Sequence, residues 1–307
     1  MPVVFHPDYV APMPPGHRFP MDKFRRYVEH LTAEGLVQPD DLVIPAEAPA
    51  GILALIHDPA YVMAVNECRV AEDIVRRIGF PITPATSRRA RLAVGGTMLA
   101  ASLARDHGIA FNAAGGSHHA FPHQGGGFCV FNDLAVTATW LLREGMARRV
   151  LVIDLDVHQG DGTAVALAGN ASAFTFSMHC GVNYPVRKQQ SDLDIALETG
   201  TGDDLYLEHL SGVLPELFSG FDPDFVLYVP GVDVHGHDRL GRLELTDAGL
   251  AARDRMVLEY CFGAGCPVAV VMGGGYDPLP DVLAARHATT ARVAHDMLGH
   301  ARDRRDG

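Results

Sequence analysis

Short apolar runs alternate along the chain with longer stretches whose apolar residues repeat at helical spacing. This alternation predicts an α/β protein with a mainly parallel sheet and helices on both of its faces. Five β-branched runs predict strands at 109–113, 149–155, 173–178, 224–230 and 267–272. Helical periodicity predicts helices at 86–106, 131–145, 161–168, 202–218, 246–262 and 279–298. The charged residues 302–307 predict a frayed tail.

Polar and glycine residues follow each predicted strand. These segments are 115–119, 154–162, 179–184, 231–238 and 273–276. Seven of the 16 histidines lie in these segments or just beyond them. Because ligands of open parallel sheets bind beyond the carboxyl ends of the strands, we expect a functional site there.

Two of these residues have the spacing of metal ligands. Asp156 and His158 are two apart on an extended segment, so their side chains point to the same side. Zinc accepts carboxylate oxygen and imidazole nitrogen, and a catalytic zinc keeps three protein ligands. Asp238, on another strand-end loop, is the expected third ligand. The alternative is an ordinary polar loop, since the pattern D-x-H alone is a weak signal.

The neighbouring residues favour hydrolysis of an amide. Asp154 and Asp161 flank the expected ligands and would orient the adjacent histidines His118 and His119. Histidines held in this way beside a metal-activated water serve as general acid and base. Tyr276, which follows three glycines, would donate its hydroxyl to a developing oxyanion. The alternative to these catalytic roles is that the two histidines are buried for structural reasons and that the tyrosine lies at the rim of the site.

The composition fits a folded chain of one or two domains. The 307 residues are 48% hydrophobic and 20% charged, which excludes disorder. With 25 Lys and Arg against 37 Asp and Glu, the formal net charge is −12, and an acidic surface disfavours nucleic-acid binding. An acidic rim would instead attract cations, such as lysine side chains or polyamines; the alternative is that the charge serves solubility.

Several classes of protein are disfavoured by motifs that do not occur. The first twenty residues lack the apolar stretch of a signal peptide, and no apolar run approaches the ~18 residues that span a bilayer. The five cysteines are never spaced as CxxC, so we expect a cytoplasmic protein without a disulfide framework or a cysteine zinc site. The glycine-rich turns match no phosphate-binding motif, and no serine-hydrolase elbow occurs.

The ordered motifs resemble those of the zinc-dependent histone deacetylase superfamily, most closely its class IV branch and the related bacterial histone deacetylase-like amidohydrolases. The resemblance covers nearly the whole chain. It begins at HRFPM (17–21) and HDP (57–59) and continues through GGSHHA, GGGFCVFND, DLDVHQGDGT, FSMH, SDLDI, GTGDD, GVDVHGHDRLG and GGGY. Such long motifs in a fixed order are highly specific.

The resemblance implies an arginase/deacetylase α/β fold in a single catalytic domain, residues 1–307. It also implies hydrolysis of an N-acyl-lysine in a protein or peptide, or of a related acyl-amine, to a carboxylate and a free amine. By motif, the zinc ligands would be Asp156, His158 and Asp238, and the catalytic residues would be His118, His119, Asp154, Asp161 and Tyr276. His119 would move the proton to the leaving amine, and His118 would act electrostatically.

The resemblance also implies a narrow tunnel for an alkyl chain. Its substrate-binding residues would be Gly127, Phe128, Tyr184, Leu245 and Gly274. The metal would be Zn²⁺ or Fe²⁺, and a structural K⁺ would bind near the segments of residues 154–158 and Ser177. Two departures stand out: Gln159 replaces a histidine common in relatives, and no counterpart of the class I substrate-gripping aspartate occurs around residues 79–81.

Three other functions remain open. An acetylpolyamine amidohydrolase would suit the acidic charge. A non-catalytic protein that binds an acyl ligand or a metal is disfavoured, because holding a metal requires neither the histidine pair nor the tyrosine. An arginase-like manganese enzyme would need a second set of bridging carboxylates, which the sequence does not supply. The oligomeric state, the acyl chain and the natural substrate stay undetermined.

Overall fold

The computed structural model describes residues 1–306, and the side chains of residues 1–299, with one sheet of eight strands. The strands are β1 (Val3–Val4), β2 (Leu42–Val43), β3 (Ile109–Asn112), β4 (Val150–Asp154), β5 (Ala173–Cys180), β6 (Leu193–Leu197), β7 (Phe225–Val229) and β8 (Val268–Val270). Their order across the sheet is β2-β1-β3-β8-β7-β4-β5-β6, and every pairing is parallel. The predicted α/β class is confirmed.

Eleven helices connect and cover these strands in the described chain. They are α1 (Lys23–Ala33), α2 (Ala50–Leu53), α3 (Pro59–Asn66), α4 (Glu72–Ile78), α5 (Pro84–His107), α6 (Asp133–Arg143), α7 (Asp161–Leu167), α8 (Asp203–Glu216), α9 (Asp247–Gly263), α10 (Pro280–His287) and α11 (Thr289–Asp306). None of the helices within residues 1–306 combines the length and the hydropathy needed to cross a membrane.

Alternate side chains of β4 show that both faces of the sheet are buried. Leu151 and Ile153 belong to a core that includes residues of α1, α8 and α9. Val150 and Val152 belong to a second core formed with α5, α6 and α7. Successive residues of a strand point to opposite faces, and burying each such side chain contributes about 1.5–3 kcal/mol. The predicted cover of helices on both faces is confirmed.

The five predicted strands all occur, with ends shifted by at most two residues. The strands β1, β2 and β6 were not predicted. The first two contain two residues each, too few to show a period. In β6 most side chains are only partly buried, because it lies at the edge of the sheet, and its apolar pattern is correspondingly weak.

The six predicted helical stretches also occur, but the last divides at Ala288 into α10 and α11. The helical backbone continues to Asp306, where we expected a frayed tail from residue 302, and Gly307 lies outside the described residues. The helices α1 to α4 were not predicted. For α1 a signal existed, since its buried residues recur at helical spacing.

The order of the central strands brings the predicted site segments together. Strands β3, β8, β7 and β4 are neighbours, and they run in the same direction. Their carboxyl ends therefore meet at the middle of one sheet edge. The segments after these four strands contain the histidine pair, the glycine-rich turn and the acidic residues.

Candidate active site

Two carboxylates and one imidazole form a candidate metal centre at this edge. Asp156, His158 and Asp233 are buried, and each offers a ligand atom within 4.8 Å of the other two. Nδ1 of His158 lies 3.0 Å from Oδ1 of Asp156 and 3.2 Å from Oδ2 of Asp233. One such group is found among the side chains of residues 1–299. An arginase-like pair of metals would require a second group.

The state of Asp233 fits a bound cation. Its Oδ1 accepts a hydrogen bond from the backbone N–H of Val157 at 3.0 Å, whereas its Oδ2 is buried and accepts no hydrogen bond. Burial, together with the negative charge of Asp156, raises the pKa of Asp233 to about 7, although His158 opposes this rise. A cation would bind the unpaired oxygen and favour the ionised form of Asp233. Zinc accepts this set of donors.

The structure contradicts the expectation that Asp238 is the third ligand. Oδ1 of Asp238 accepts hydrogen bonds from the N–H groups of Leu240 and Gly241, and its Oδ2 accepts one from Tyr276 at 2.6 Å. Its carboxylate therefore shapes the loop and lies outside the ligand group. Asp233 occupies that place. Its place four residues after the end of β7, comparable to that of Asp156 two residues after the end of β4, was the available signal.

The two adjacent histidines are held by the two expected aspartates. Nδ1 of His118 donates to Oδ2 of Asp154 at 2.7 Å, and Nδ1 of His119 donates to Oδ1 of Asp161 at 2.6 Å. All four side chains are buried. These bonds fix the orientation of each ring and leave its Nε2 free of the carboxylate. The predicted pairing of histidines with aspartates is confirmed.

Burial and charge give the two histidines opposite protonation. Burial disfavours the imidazolium of His118, but Asp154 and Asp156 outweigh it and raise the pKa of His118 to about 9. For His119, burial and the neighbouring charge of His118 prevail over Asp161 and lower the pKa to about 4. At neutral pH His118 is therefore charged and His119 is neutral.

The glycine-rich turn after β8 brings backbone close to the candidate ligands. The N–H of Gly274 donates to Oδ2 of Asp156 at 2.6 Å. A Cβ on Gly274 would lie 1.9 Å from Oδ2 of Asp233, so no side chain fits there. Gly274, expected in substrate binding, thus orients the carboxylate of the candidate ligand Asp156. Only glycine permits this approach.

Tyr276 lies at the far end of the same turn and faces the candidate metal centre. Its ring centroid is 6.3 Å from that of His158 and 5.9 Å from that of Phe128. Burial, reinforced by the negative charges of Asp233 and Asp156, raises the pKa of Tyr276 well above its ordinary value. Its hydroxyl therefore stays protonated and available as a hydrogen-bond donor.

Three of the expected tunnel residues lie beside this centre. Gly127 and Phe128 line the same cavity as His119 and Tyr276. The ring of Tyr184 packs edge-on against His119 with 4.8 Å between centroids, and it is 45% exposed, which places it at the mouth.

Leu245 does not form the expected tunnel wall. It is 1% exposed and belongs to the hydrophobic core. Its backbone N–H donates to the carbonyl of Val234, and its carbonyl accepts from Gly236. Its role is therefore to hold the loop after β7, because apolar residues beside a site often belong to the core.

Lys23 and Arg89 line the cavity and were not predicted. Lys23 is 2% exposed, and its ammonium donates to the carbonyl of Gly273 at 2.9 Å. Burial lowers the pKa of Lys23 to about 8, an effect that Asp233 and Asp156 partly oppose. Lys23 begins α1 just after the motif at 17–21, and a basic residue on the buried face of that helix was the available signal.

Gln159, in the loop after β4, is buried and fully hydrogen-bonded through its side-chain amide. Its amide nitrogen donates to the carbonyl of Gln189 and to Oδ1 of Asp194, at 2.8 and 2.9 Å. Its amide oxygen accepts from the N–H of Gln189. Gln159 thus connects the loop after β4 with β6 and the segment that precedes it.

The parallel sheet and the site at its carboxyl edge define an α/β protein of the arginase/deacetylase fold. The crystal structure of the HDA15 HD domain has the same fold, with a TM-score of 0.80, 24% identity, and coverage of 97% of this chain and 87% of that chain. Residues 17–293 match the histone deacetylase domain. The chain belongs to the histone deacetylase family, which is a family of hydrolytic deacetylases.

Full-length relatives agree with this assignment. An uncharacterised protein of Picosynechococcus sp. is 48% identical over 96% of this chain and 99% of its own length. The acetoin utilization protein AcuC of Staphylococcus aureus is 30% identical over 85% of this chain and 73% of its own. Histone deacetylase 2 of Arabidopsis thaliana is 29% identical over 85% of this chain and 70% of its own.

Proposed function

We propose that this chain is a zinc-dependent deacylase that hydrolyses the amide of an N-acyl-lysine, or of a related acyl-amine, to a carboxylate and a free amine. We assign this activity to a single catalytic domain, residues 1–307. One observation carries the proposal: the group of Asp156, His158 and Asp233 shares one sheet edge with the base His119 and the donor Tyr276.

Asp156, His158 and Asp233 would hold the metal. Zinc bound there would polarise the acyl carbonyl and lower the pKa of a bound water. Ferrous iron accepts the same oxygen and nitrogen donors and remains an alternative. The structural K⁺ implied by the family resemblance stays a prediction for the segments of residues 154–158 and Ser177.

His119 is assigned the proton transfer. Its Nδ1–H is donated to Asp161, so Nε2 carries the free lone pair of a neutral ring. This nitrogen accepts a proton from the attacking water as the bond between oxygen and the acyl carbon forms. It then donates that proton to the amine nitrogen as the carbon–nitrogen bond breaks. His118, kept charged by Asp154, stabilises the negative charge that develops nearby.

Tyr276 and the aromatic residues at the mouth complete the proposed mechanism. The protonated hydroxyl of Tyr276 donates to the acyl oxygen as that oxygen becomes negative. Phe128 and Tyr184 offer apolar surfaces on which the alkyl chain of the substrate lies. Excluding water there strengthens each electrostatic contact with the reacting amide.

The test is a matched series of substrates for the zinc-loaded, full-length protein. The series contains lysine peptides acylated from acetyl to myristoyl, and acetylated polyamines, each assayed with and without a chelator. We expect chelator-sensitive release of one acyl class from lysine. Turnover of acetylated polyamines alone would establish the amidohydrolase alternative. If the folded, metal-loaded protein hydrolysed no substrate of the series, a binding role would be favoured.

A further inference from the structure

Three exposed arginines adjoin residues that line the cavity. The guanidinium carbon of Arg18 lies 5.2 Å from the ring centroid of Phe128, and Nε of Arg239 donates to the carbonyl of Tyr276 at 3.0 Å. The backbone carbonyl of Arg77 accepts the N–H of Gly127 at 2.9 Å. Arg18, Arg77 and Arg239, here called the arginine rim, come from three separate segments of the chain.

The charges of the arginine rim are not neutralised within the protein. Among the side chains of residues 1–299, none of the three guanidinium groups forms an ion pair with a carboxylate. The nearest acid in sequence, Asp238, directs both carboxylate oxygens to backbone N–H groups. On α1, by contrast, the exposed Arg25 and the half-buried Arg26 are both paired with Asp22.

This local charge is opposite to that of the whole chain. The net charge of −12 suggested that cationic substrates would be attracted. The acidic residues at the centre are instead buried and engaged with histidines, while the exposed groups adjoining Phe128 and Tyr276 are cationic. A substrate approaching the mouth therefore meets positive charge first, and local charge governs such encounters more than net charge does.

We propose that the arginine rim selects acyl-lysine peptides whose residues beside the acylated lysine carry carboxylates. This specificity rests on the deacylase function proposed above. The acylated side chain enters the cavity, and the flanking peptide stays outside at the level of the rim. Three cations from separate segments suit a peptide with acidic residues on both sides of the lysine better than a polyamine, whose own charges would be repelled.

The test compares three peptides that share one central acyl-lysine. Their flanks contain two aspartates on each side, neutral residues, or two lysines on each side. For the zinc-loaded, full-length protein at low salt, we expect kcat/KM for the acidic peptide to exceed that for the basic peptide by about 10-fold or more. The ratio should shrink towards one in about 0.5 M salt, because exposed charges are screened.

The rim variant Arg18→Gln/Arg77→Gln/Arg239→Gln should reduce the ratio of acidic to basic kcat/KM to within about 2-fold of one. Its matched control is a second triple variant. That control is Arg105→Gln/Arg143→Gln/Arg148→Gln, which removes three charges near the amino ends of β3 and β4, at the opposite edge of the sheet. The control should keep the preference of the unchanged protein.

The two proposals fail in different ways. Turnover of all three peptides at equal kcat/KM, or a preference lost equally in the control, overturns selection by the rim and leaves the deacylase intact. If no peptide is hydrolysed, fluorescence anisotropy of the labelled peptides still tests the rim. Tighter binding of the acidic peptide, lost in the rim variant, would then support the rim, and equal binding would overturn it.

Discussion

His118 and His119 have ring centroids 4.1 Å apart, yet the pKa of the first is raised and that of the second is lowered. Asp154 and Asp156 act on His118, whereas His119 faces the positive charge of its neighbour and a single carboxylate. Two titrating groups whose environments separate their pKa values are suited to different steps of one reaction.

Replacing His119 with alanine should reduce kcat by about 10²- to 10⁴-fold, because proton transfer to and from the reacting amide is lost. The bound zinc should be unaffected, since His119 does not belong to the ligand group. Turnover and the zinc content of the purified variant are the two measurements. Substantial remaining activity would contradict the assignment of the base, and loss of zinc would contradict the assigned ligand set.

The variants Asp233→Asn and Asp238→Asn form a matched pair for the metal centre. The first should lose most of its zinc, because one of three ligands becomes a weaker neutral donor. The second should keep its zinc and lose stability by roughly 1–3 kcal/mol, because its carboxylate accepts three backbone N–H groups. Zinc content after chelator competition distinguishes them. The reverse pattern would restore Asp238 to the ligand set.

Tyr276→Phe should lower kcat by about 10²- to 10³-fold with little change in KM, because the hydroxyl acts on the charge that develops during the reaction. The turn should persist, since Tyr276 is fixed through its backbone N–H and carbonyl. Steady-state kinetics on one acyl-lysine peptide provides the measurement. If Tyr276→Phe weakened the binding of a non-reacting substrate analogue by the same factor, the hydroxyl would act in binding instead.

The stability of the metal-free protein should depend on pH through His118. Its folded pKa of about 9 exceeds the ordinary 6.5, so the folded state binds the proton more tightly. The stabilisation is complete below about pH 6.5 and is lost as the pH rises through about 9, a change of roughly 1–3 kcal/mol. Urea unfolding across this range should show a smaller loss for His118→Asn than for the unchanged protein. Part of the loss remains in both, because Asp156 and Asp233 outweigh burial and raise the pKa of His158 to about 10. If the free energy of unfolding changed with pH in the same way for both proteins, the raised pKa of His118 would be contradicted.

Arg253 is fully buried and connects the two loops that carry the candidate ligands, because its Nη1 also donates to the carbonyl of Leu155 at 3.4 Å. It donates to the carbonyl of Gly231 at 2.6 Å, and its Nε donates to Oδ1 of Asp254 at 2.8 Å. Arg253→Met should destabilise the fold by about 3–5 kcal/mol, because Asp254 loses its charged partner. The double variant Arg253→Met/Asp254→Leu should recover part of this loss in urea unfolding. A single variant as stable as the unchanged protein would contradict the argument.

The central strands were visible in the sequence for a simple reason. A strand buried on both faces must be apolar along its whole length, as Val150–Asp154 is up to its final residue. The same burial does not apply to β1, β2 or β6 at or near the edges, so their patterns are short or mixed. The sequence therefore predicts the middle of the sheet better than its margins.

The contents of the site were also largely visible, because chemistry restricts residue types. The histidine pair, its two aspartates, the candidate ligands Asp156 and His158, and Tyr276 were all named from motifs and strand ends, and the structure brings them together. The sequence did not show which of the two aspartates on the loop after β7 belongs to the candidate ligand group. Asp233 and Asp238 have the same chemistry, and only the folded loop shows which carboxylate is occupied by backbone N–H groups.

The sequence by itself determined the fold class, the family and the residues available for catalysis, because burial patterns and reactive side chains are local properties. The tertiary structure alone decided which groups meet across distant segments. It placed Asp233 in the ligand group, Leu245 in the core, Lys23 in the cavity and the arginine rim around the mouth. Charge and proximity are properties of the assembled fold, so a net charge counted along the chain could not show the charge at the site.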